Sequence, residues 1–325
     1  MKAAVVERLG TAPVCGEVAE PVAGDGMVVA EVRAAAVKNI ERSLAAGMHY
    51  ASGRLALPAG VGVDAVVTLP DGRRAYTGTT PPAGAMAERM AVRPELTVRI
   101  PEEVDDASAA ALPNAAVSAW FALEYAGAIR PGQTVLVLGA TGVTGSLAVQ
   151  LAKHRFGAER VVAAGRDAGR LARLRALGAD ETVRLGGPDG IEDEVRRLHA
   201  QHPFDLVIDY LWGPPAEGTL RALANDDMAA QFHRTRYVQV GEMAGPDITL
   251  PAGVLRSAGI ELLGQGGGSV PRDAFARVMP EVLPALFALL ADGKLAVDTL
   301  TRPLSDVTAA WTAPVPSGTR VVLTP

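Results

Sequence analysis

The sequence predicts an α/β fold in which a doubly wound parallel sheet follows a strand-rich domain. Three observations carry that reading. From residue 134 onward, short runs of Val, Leu and Ile alternate with helical segments across short connections, which implies right-handed crossovers and parallel strands. Before residue 110 the texture is different, with strand-like runs separated by turn residues and one helical piece. Within the alternating part lies VLVLGATGVTGSLAVQLA, residues 135–152: a buried strand, a glycine-studded turn and an apolar-periodic helix.

In chain order, residues 2–7, 27–36, 61–69 and 86–100 are Val-rich or alternate apolar with polar, the pattern of strands. Pro70-Asp71-Gly72 marks a hairpin turn after the third run. Residues 39–47 supply the helical piece. An Ala-rich helix is expected over 107–125, before the turn Arg130-Pro131-Gly132. Strands follow at 134–138, 160–164, 181–184, 206–210, 237–241 and 260–263, with helices near 143–155, 168–177, 190–200 and 215–224. Six strands so connected make a Rossmann domain over 111–269. A helix over 272–292, interrupted by Pro280 and Pro284, and a strand at 320–323 come last. They are too few to bury a core alone, so 270–325 is expected to complete the first domain, 1–110.

Composition narrows the function classes. The 325 residues suggest about two domains, and 49% apolar with 21% charged residues is globular composition. No apolar run approaches the ~18 residues of a membrane span. The start, MKAAVVERLG, is charged by position 7 and unlike a secretory leader, so a cytoplasmic location is expected. Net charge is −5 with Lys and Arg dispersed, which argues against nucleic acid as a partner. The single cysteine, Cys15, excludes an internal disulfide and a thiolate-rich zinc site.

The glycine turn carries the chemistry. Gly139, Gly142 and Gly145 are spaced GxxGxxG, with Ala140 and Thr141 between the first two. Glycine lets the backbone turn and approach a pyrophosphate, and the helix start offers N–H groups and a positive dipole end. Gly139, Ala140, Thr141, Gly142, Val143 and Thr144 are therefore the expected phosphate cradle. About twenty residues past Gly145 comes Gly165-Arg166-Asp167. An acidic residue at this strand tip would hold the ribose 2′-hydroxyl of NAD, whereas an arginine accommodates the 2′-phosphate of NADP. Gly165 leaves room, Arg166 supplies the cation, and Arg170 stands one turn into the next helix. Asp167 fits the N-cap of that helix. NADP(H) is the expected cofactor. His199 and His202, three apart, read as polar groups near helix-terminal carbonyls.

Several segments together carry a family resemblance: LPAGVGVDAVV (57–67), AAALPNAAVSAW (109–120), RPGQTVLVLGATGVTGSLAVQLAK (130–153), GRDAGRLARLRALGAD (165–180), FDLVIDYLWG (204–213), VQVGEMAG (238–245) and ADGKLAVD (291–298). The chain resembles the medium-chain dehydrogenase/reductase superfamily in its zinc-independent, quinone oxidoreductase-like branch. The resemblance implies a GroES-like β-barrel catalytic domain plus a Rossmann doubly wound parallel-sheet nucleotide-binding domain. In the zinc branch a catalytic metal is held by Cys, His and Cys. The matching positions here are Lys38, Val63 and Asn114, so no metal is expected.

The resemblance also implies a site. Its cleft would be lined by Lys38, Asn39, Ser43, His49 and Tyr50. The branch often has Asn at the Lys38 position and Tyr at the Ser43 position, and both differ here. Tyr50 is the replacement proton donor. Lys38 would polarise a carbonyl or transfer a proton if burial lowers its pKa. Asn39, Asn114, Ser118, Asp209, Tyr210 and Gly241 carry over as cofactor contacts. Gly264 and Gly266 lie in a Gly-rich turn that serves either the nicotinamide end or a domain-crossing hinge. The implied activity is a zinc-independent, NADPH-dependent hydride transfer to a quinone or to the activated C=C bond of an α,β-unsaturated carbonyl. A pathway-specific enoyl, carbonyl or imine reductase and a non-catalytic NADPH-binding sensor are the alternatives. The substrate would be a small apolar carbonyl or quinone bound between the two domains. A homodimer through the edge strand near 260–263 is implied as well.

Overall fold

The computed structural model describes residues 1–49, 52–78, 84–186, 190–225 and 231–325, and the elements counted below lie among these described residues. The chain forms two compact units, residues 1–114 with 276–325, and residues 115–275. The sequence reading drew these limits at 110 and 270.

The first unit opens with β1 (Lys2–Val6), β2 (Val14–Glu17), β3 (Val28–Ala36), α1 (Asn39–Ala45), β4 (Ala59–Gly60), β5 (Asp64–Thr68), β6 (Arg74–Gly78), β7 (Arg89–Val92) and β8 (Val98–Arg99). The run expected as one strand over 86–100 is two, because Pro94 opens a one-turn 3-10 helix between them. The run expected from 61 is interrupted at Gly62, whose φ is 107°. The turn at Pro70–Gly72 does join an antiparallel pair, β5 and β6. Nine-residue β3 is the hub. Its first half pairs with β7, its middle with β5, and a register shift between Val32 and Ala34 bends it. Val6, Val32, Val67, Met86, Met90 and Leu323 belong to the core beneath.

α2 (Asp106–Phe121) crosses the boundary between the units. The second unit then runs β9 (Thr134–Leu138), α3 (Val143–His154), β10 (Arg160–Gly165), α4 (Ala168–Ala176), β11 (Glu181–Arg184), α5 (Gly190–Gln201), β12 (Leu206–Asp209), α6 (Gly213–Ala222), β13 (Arg234–Gln239), α7 (Ala252–Ser257) and β14 (Gly259–Gly264). The six strands are all parallel, in the order β11-β10-β9-β12-β13-β14. Leu136, Leu138, Val162, Ala164 and Val207 form one core cluster with Val195 and Leu198 of α5 and Ala216 and Leu220 of α6. Strand side chains alternate, so Val135, Val137, Val161 and Ala163 face the other side, where α3 and α4 cross. β13 lies earlier than 237–241. α6 starts two residues before 215, at a sharp corner described below.

The chain then returns through α8 (Arg272–Ala276), a π-helical turn at Val278–Val282 and α9 (Leu283–Ala291). Pro280 lies inside that wide turn, where the 272–292 helix was expected to break. β15 (Asp298–Pro303) and α10 (Val307–Thr312) lead to β16 (Thr319–Thr324). β15 pairs parallel with β16, and β16 pairs antiparallel with the end of β3 through Val322↔Ala36 and Leu323↔Ala35.

Candidate functional site

The glycine turn leaves β9 with Gly139 at φ 80°, a left-handed conformation. The N–H groups of Gly139 and Ala140 both donate to Ala164 O, at 3.0 and 2.9 Å, and pin the turn to β10. Gly142 is the N-cap of α3 and brings no side-chain cap, so the first N–H groups of Val143 and Thr144 have no intrahelical acceptor. Gly145 answers a different need. A Cβ there would lie 2.3 Å from Gly139 O, so the helix sits directly on the turn. Gly165 ends β10 against Thr141: its Cβ would lie 2.4 Å from Thr141 Cγ2.

Arg166 follows, exposed at the strand tip. Asp167 caps α4: its Oδ1 accepts the Arg170 N–H at 3.0 Å. Arg170 is half-buried. Backbone that a Cβ would fill, an open helix start and an exposed strand-tip arginine fit a 2′-phosphorylated dinucleotide.

Other expected contacts fare differently. Asp209 is fully buried. One of its oxygens accepts the N–H groups of Leu211 (2.7 Å) and Trp212 (3.1 Å), and the other accepts the Tyr237 hydroxyl at 2.7 Å. Burial raises its pKa, against the pull of those hydrogen bonds. Its carboxylate thus builds the loop and is not presented to a ligand. Tyr210 beside it has a buried hydroxyl with no hydrogen-bond partner among the described residues. Gly241 lies under it, where a Cβ would be 2.8 Å from Tyr210 O. Gly264 and Gly266 are exposed with open space around them. Asn114 is exposed and Ser118 half-buried, one turn apart on α2. Asn39 is exposed at the start of α1. Tyr50 lies outside the described residues.

Lys38 is where the structure corrects the sequence reading. It is 1% exposed. Its Nζ donates to Asp64 Oδ1 at 2.7 Å and Ala36 O at 3.0 Å, and lies 2.9 Å from Glu41 Oε1. Its backbone N–H donates to Glu41 Oε2 at 2.9 Å, and the Tyr76 hydroxyl donates to Asp64 Oδ2 at 2.9 Å. Burial alone would lower the lysine pKa, as expected from sequence. The carboxylates of Asp64 and Glu41 outweigh it, and the pKa is raised. Lys38 is therefore a held ammonium with all three donor directions taken, opposite to the expected labile proton donor. Arg320 stands near the same carboxylates, its pKa lowered by burial.

These residues do not fit a catalytic zinc. The Lys38 ammonium already occupies the space between the two carboxylates, and Val63 has no side-chain ligating atom. Glu41, Asp64 and Tyr76 were not singled out from sequence. The one available signal was an aspartate inside the apolar run VGVDAVV. Beside the cluster, Val6, Leu44, Ala45, Leu55, Val61 and Val63 line an apolar pocket of about 50 Å³.

His199 is also corrected. Its Nδ1 accepts the Phe204 N–H at 3.0 Å, so it serves a donor and not the helix-end carbonyls. Burial, assisted by His233, pushes its pKa down to about 4 against the opposing charge of Asp205.

Known proteins agree with this architecture. The family described as zinc-binding dehydrogenase matches residues 143–283, a span that excludes Lys38 and Val63. The chain is 33% identical over 237 residues to the probable NADPH-dependent quinone reductase tdiC of Emericella nidulans, covering 69% of this chain and 63% of that protein. It is 45% identical over 100 residues to 2-methylene-furan-3-one reductase of Solanum lycopersicum, covering 31% of this chain and 25% of that protein. The matched spans are thus less than two thirds of these relatives' lengths. The quinone oxidoreductase of Thermus thermophilus, solved also in complex with NADPH, is 30% identical with a TM-score of 0.80, covering 100% of both chains. The chain belongs to the medium-chain dehydrogenase/reductase superfamily, as a quinone oxidoreductase-like member.

Proposed function

We propose that the protein is a zinc-independent, NADPH-dependent oxidoreductase that reduces a quinone or the activated C=C bond of an α,β-unsaturated carbonyl. The observation that carries this is the Lys38 ammonium seated between Asp64 and Glu41 where a metal ligand would stand, in a chain with a cradle for a dinucleotide. When bound, the reduced nicotinamide supplies the hydride. The turn from Gly139 to Thr144 holds the pyrophosphate, and Arg166 holds the 2′-phosphate. Tyr50 is the proton donor to the developing enolate oxygen. Lys38, with its donors engaged, acts as a positioning residue that fixes α1 to β5. The apolar pocket beside it takes the aliphatic part of a small carbonyl or quinone substrate. The relatives named for quinone and furanone reduction support this substrate range. A cytoplasmic homodimer through β14 belongs to the same reading: β14 ends the sheet order, and its Leu262 is 40% exposed.

NADPH oxidation followed with a simple quinone and a short enone, with and without a chelator, tests the activity. Turnover that the chelator leaves unchanged is expected. Tight NADPH binding with no turnover on any acceptor would transfer the reading to a sensor. Tyr50→Phe is expected to slow turnover without weakening NADPH, and an unchanged rate would remove Tyr50 from the proposal.

A further inference from the structure

Trp212 stands at a backbone position that calls for glycine. Its φ is 55° and its ψ −159°, a combination strained for any residue with a side chain. It directly precedes α6. Its N–H and that of Leu211 are held by the buried carboxylate of Asp209, which Tyr237 holds in turn. The corner is tight on the far side too: a Cβ on Gly213, at φ 58°, would lie 2.8 Å from Ala244 O. The chain thus keeps an indole where the backbone would be relaxed without one.

Its surroundings indicate what the indole is for. The helices after β9 and β10 cross one face of the sheet, and those flanking β12 lie on the other. A crevice therefore opens beyond the carboxyl ends of β9 and β12, where doubly wound sheets bind their ligands. Leu211 Cδ2 and Tyr210 Cβ reach within 3.1 and 3.2 Å of where a Cβ on Gly139 would be, so the Trp212 loop borders the glycine turn. Trp212 is half-buried. Together with Leu185, Ile191 and Leu211 it packs against the core cluster on the α5–α6 side. Leu185 donates its N–H to Gly165 O at 2.8 Å, beside Arg166. Apolar side chains thus extend from the tip that carries Arg166 to the loop that carries Trp212.

We propose that Trp212 is an adenine-stacking residue, its indole and Leu185 walling a slot for the adenine of the dinucleotide whose 2′-phosphate Arg166 holds. The proposal rests on the NADPH reading above and adds the surface that the base lies on. A flat apolar base gains from an aromatic face, and the gain survives exchange of one aromatic for another.

The test is calorimetric titration of the full-length protein with adenosine 2′,5′-bisphosphate and, separately, nicotinamide mononucleotide. The wild type is expected to bind the bisphosphate, and Trp212→Phe to stay within about threefold of it. Trp212→Ala and Trp212→Gly are expected to bind it roughly ten- to a hundredfold more weakly. Affinity for the mononucleotide should not change in any variant. Trp212→Gly relaxes the backbone strain that Trp212→Ala retains, so its thermal midpoint should lie above that of Trp212→Ala, and this keeps the test open if Trp212→Ala folds poorly. Equal bisphosphate affinity in Trp212→Gly and wild type would overturn the stacking. Absence of bisphosphate binding by the wild type would overturn the NADPH reading, and the proposal with it.

Discussion

One ammonium against two buried carboxylates is an expensive arrangement to disturb. Removing the charge with Lys38→Met strands Asp64 and Glu41 in an apolar interior, and a loss of about 3–5 kcal/mol is expected in denaturant unfolding. Adding Asp64→Asn to that variant should restore part of the loss, because one uncompensated charge goes with it. If Lys38→Met proves neutral, the cluster is not the structural lock described. Arg166 is tested separately. Arg166→Ala should weaken NADPH by roughly tenfold through the lost charge-assisted hydrogen bonds while sparing NADH, and an equal loss for both would remove the 2′-phosphate contact. Lys38 shows where sequence reading stops. That a lysine stands at a ligand position was visible, but the direction of its pKa depends on Asp64, 26 residues away on β5. Trp212 was quoted only inside a family segment, because a φ of 55° leaves no trace in residue type.

Among the elements, the glycine turn was legible because each glycine answers a local demand, and those demands predict unequal mutants. Gly145→Ala drives a Cβ into Gly139 O, which is backbone and cannot swing aside, so about 3 kcal/mol of stability and much cofactor affinity should go. The three atoms nearest a Cβ in Gly165→Ala all belong to the Thr141 side chain. Thr141→Ala, which removes the Cγ2 nearest that Cβ, should therefore recover most of its loss, a coupling read from a double-mutant cycle. Gly266→Ala meets open space and should stay within about 0.5 kcal/mol of wild type by thermal unfolding. Strand–helix alternation also made β9 to β12 legible to within a residue or two. Elements whose pattern carries less information were missed. β15, DTLTRP, is half-exposed and largely polar, and β2, VCGE, is short and nearly as open. Both acquire strand structure from partners distant in the chain or across a turn, a cause that local periodicity does not contain.

At the scale of the whole molecule, pH acts through His199. Its folded pKa of about 4 lies below the ordinary 6.5, so between those values the unfolded chain takes up a proton that the folded chain refuses. This contribution to stability is intact above pH 6.5 and is lost as pH falls toward about 4. His199→Gln should flatten that part of a stability-against-pH curve, and an unaltered slope would place the titration elsewhere. The two units and the return of residues 270–325 to the first were read from the sequence, but not which strand that return pairs with. Its sheet is extended by β16, which lies against the last residues of β3, and Val37 donates its N–H to Val321 O at 2.9 Å. The chain therefore builds its units in an order opposite to their start. The second unit is one continuous segment and can fold once residue 275 has left the ribosome. The first must hold β3 and the Lys38 cluster unfinished until β16, residues 319–324, is made.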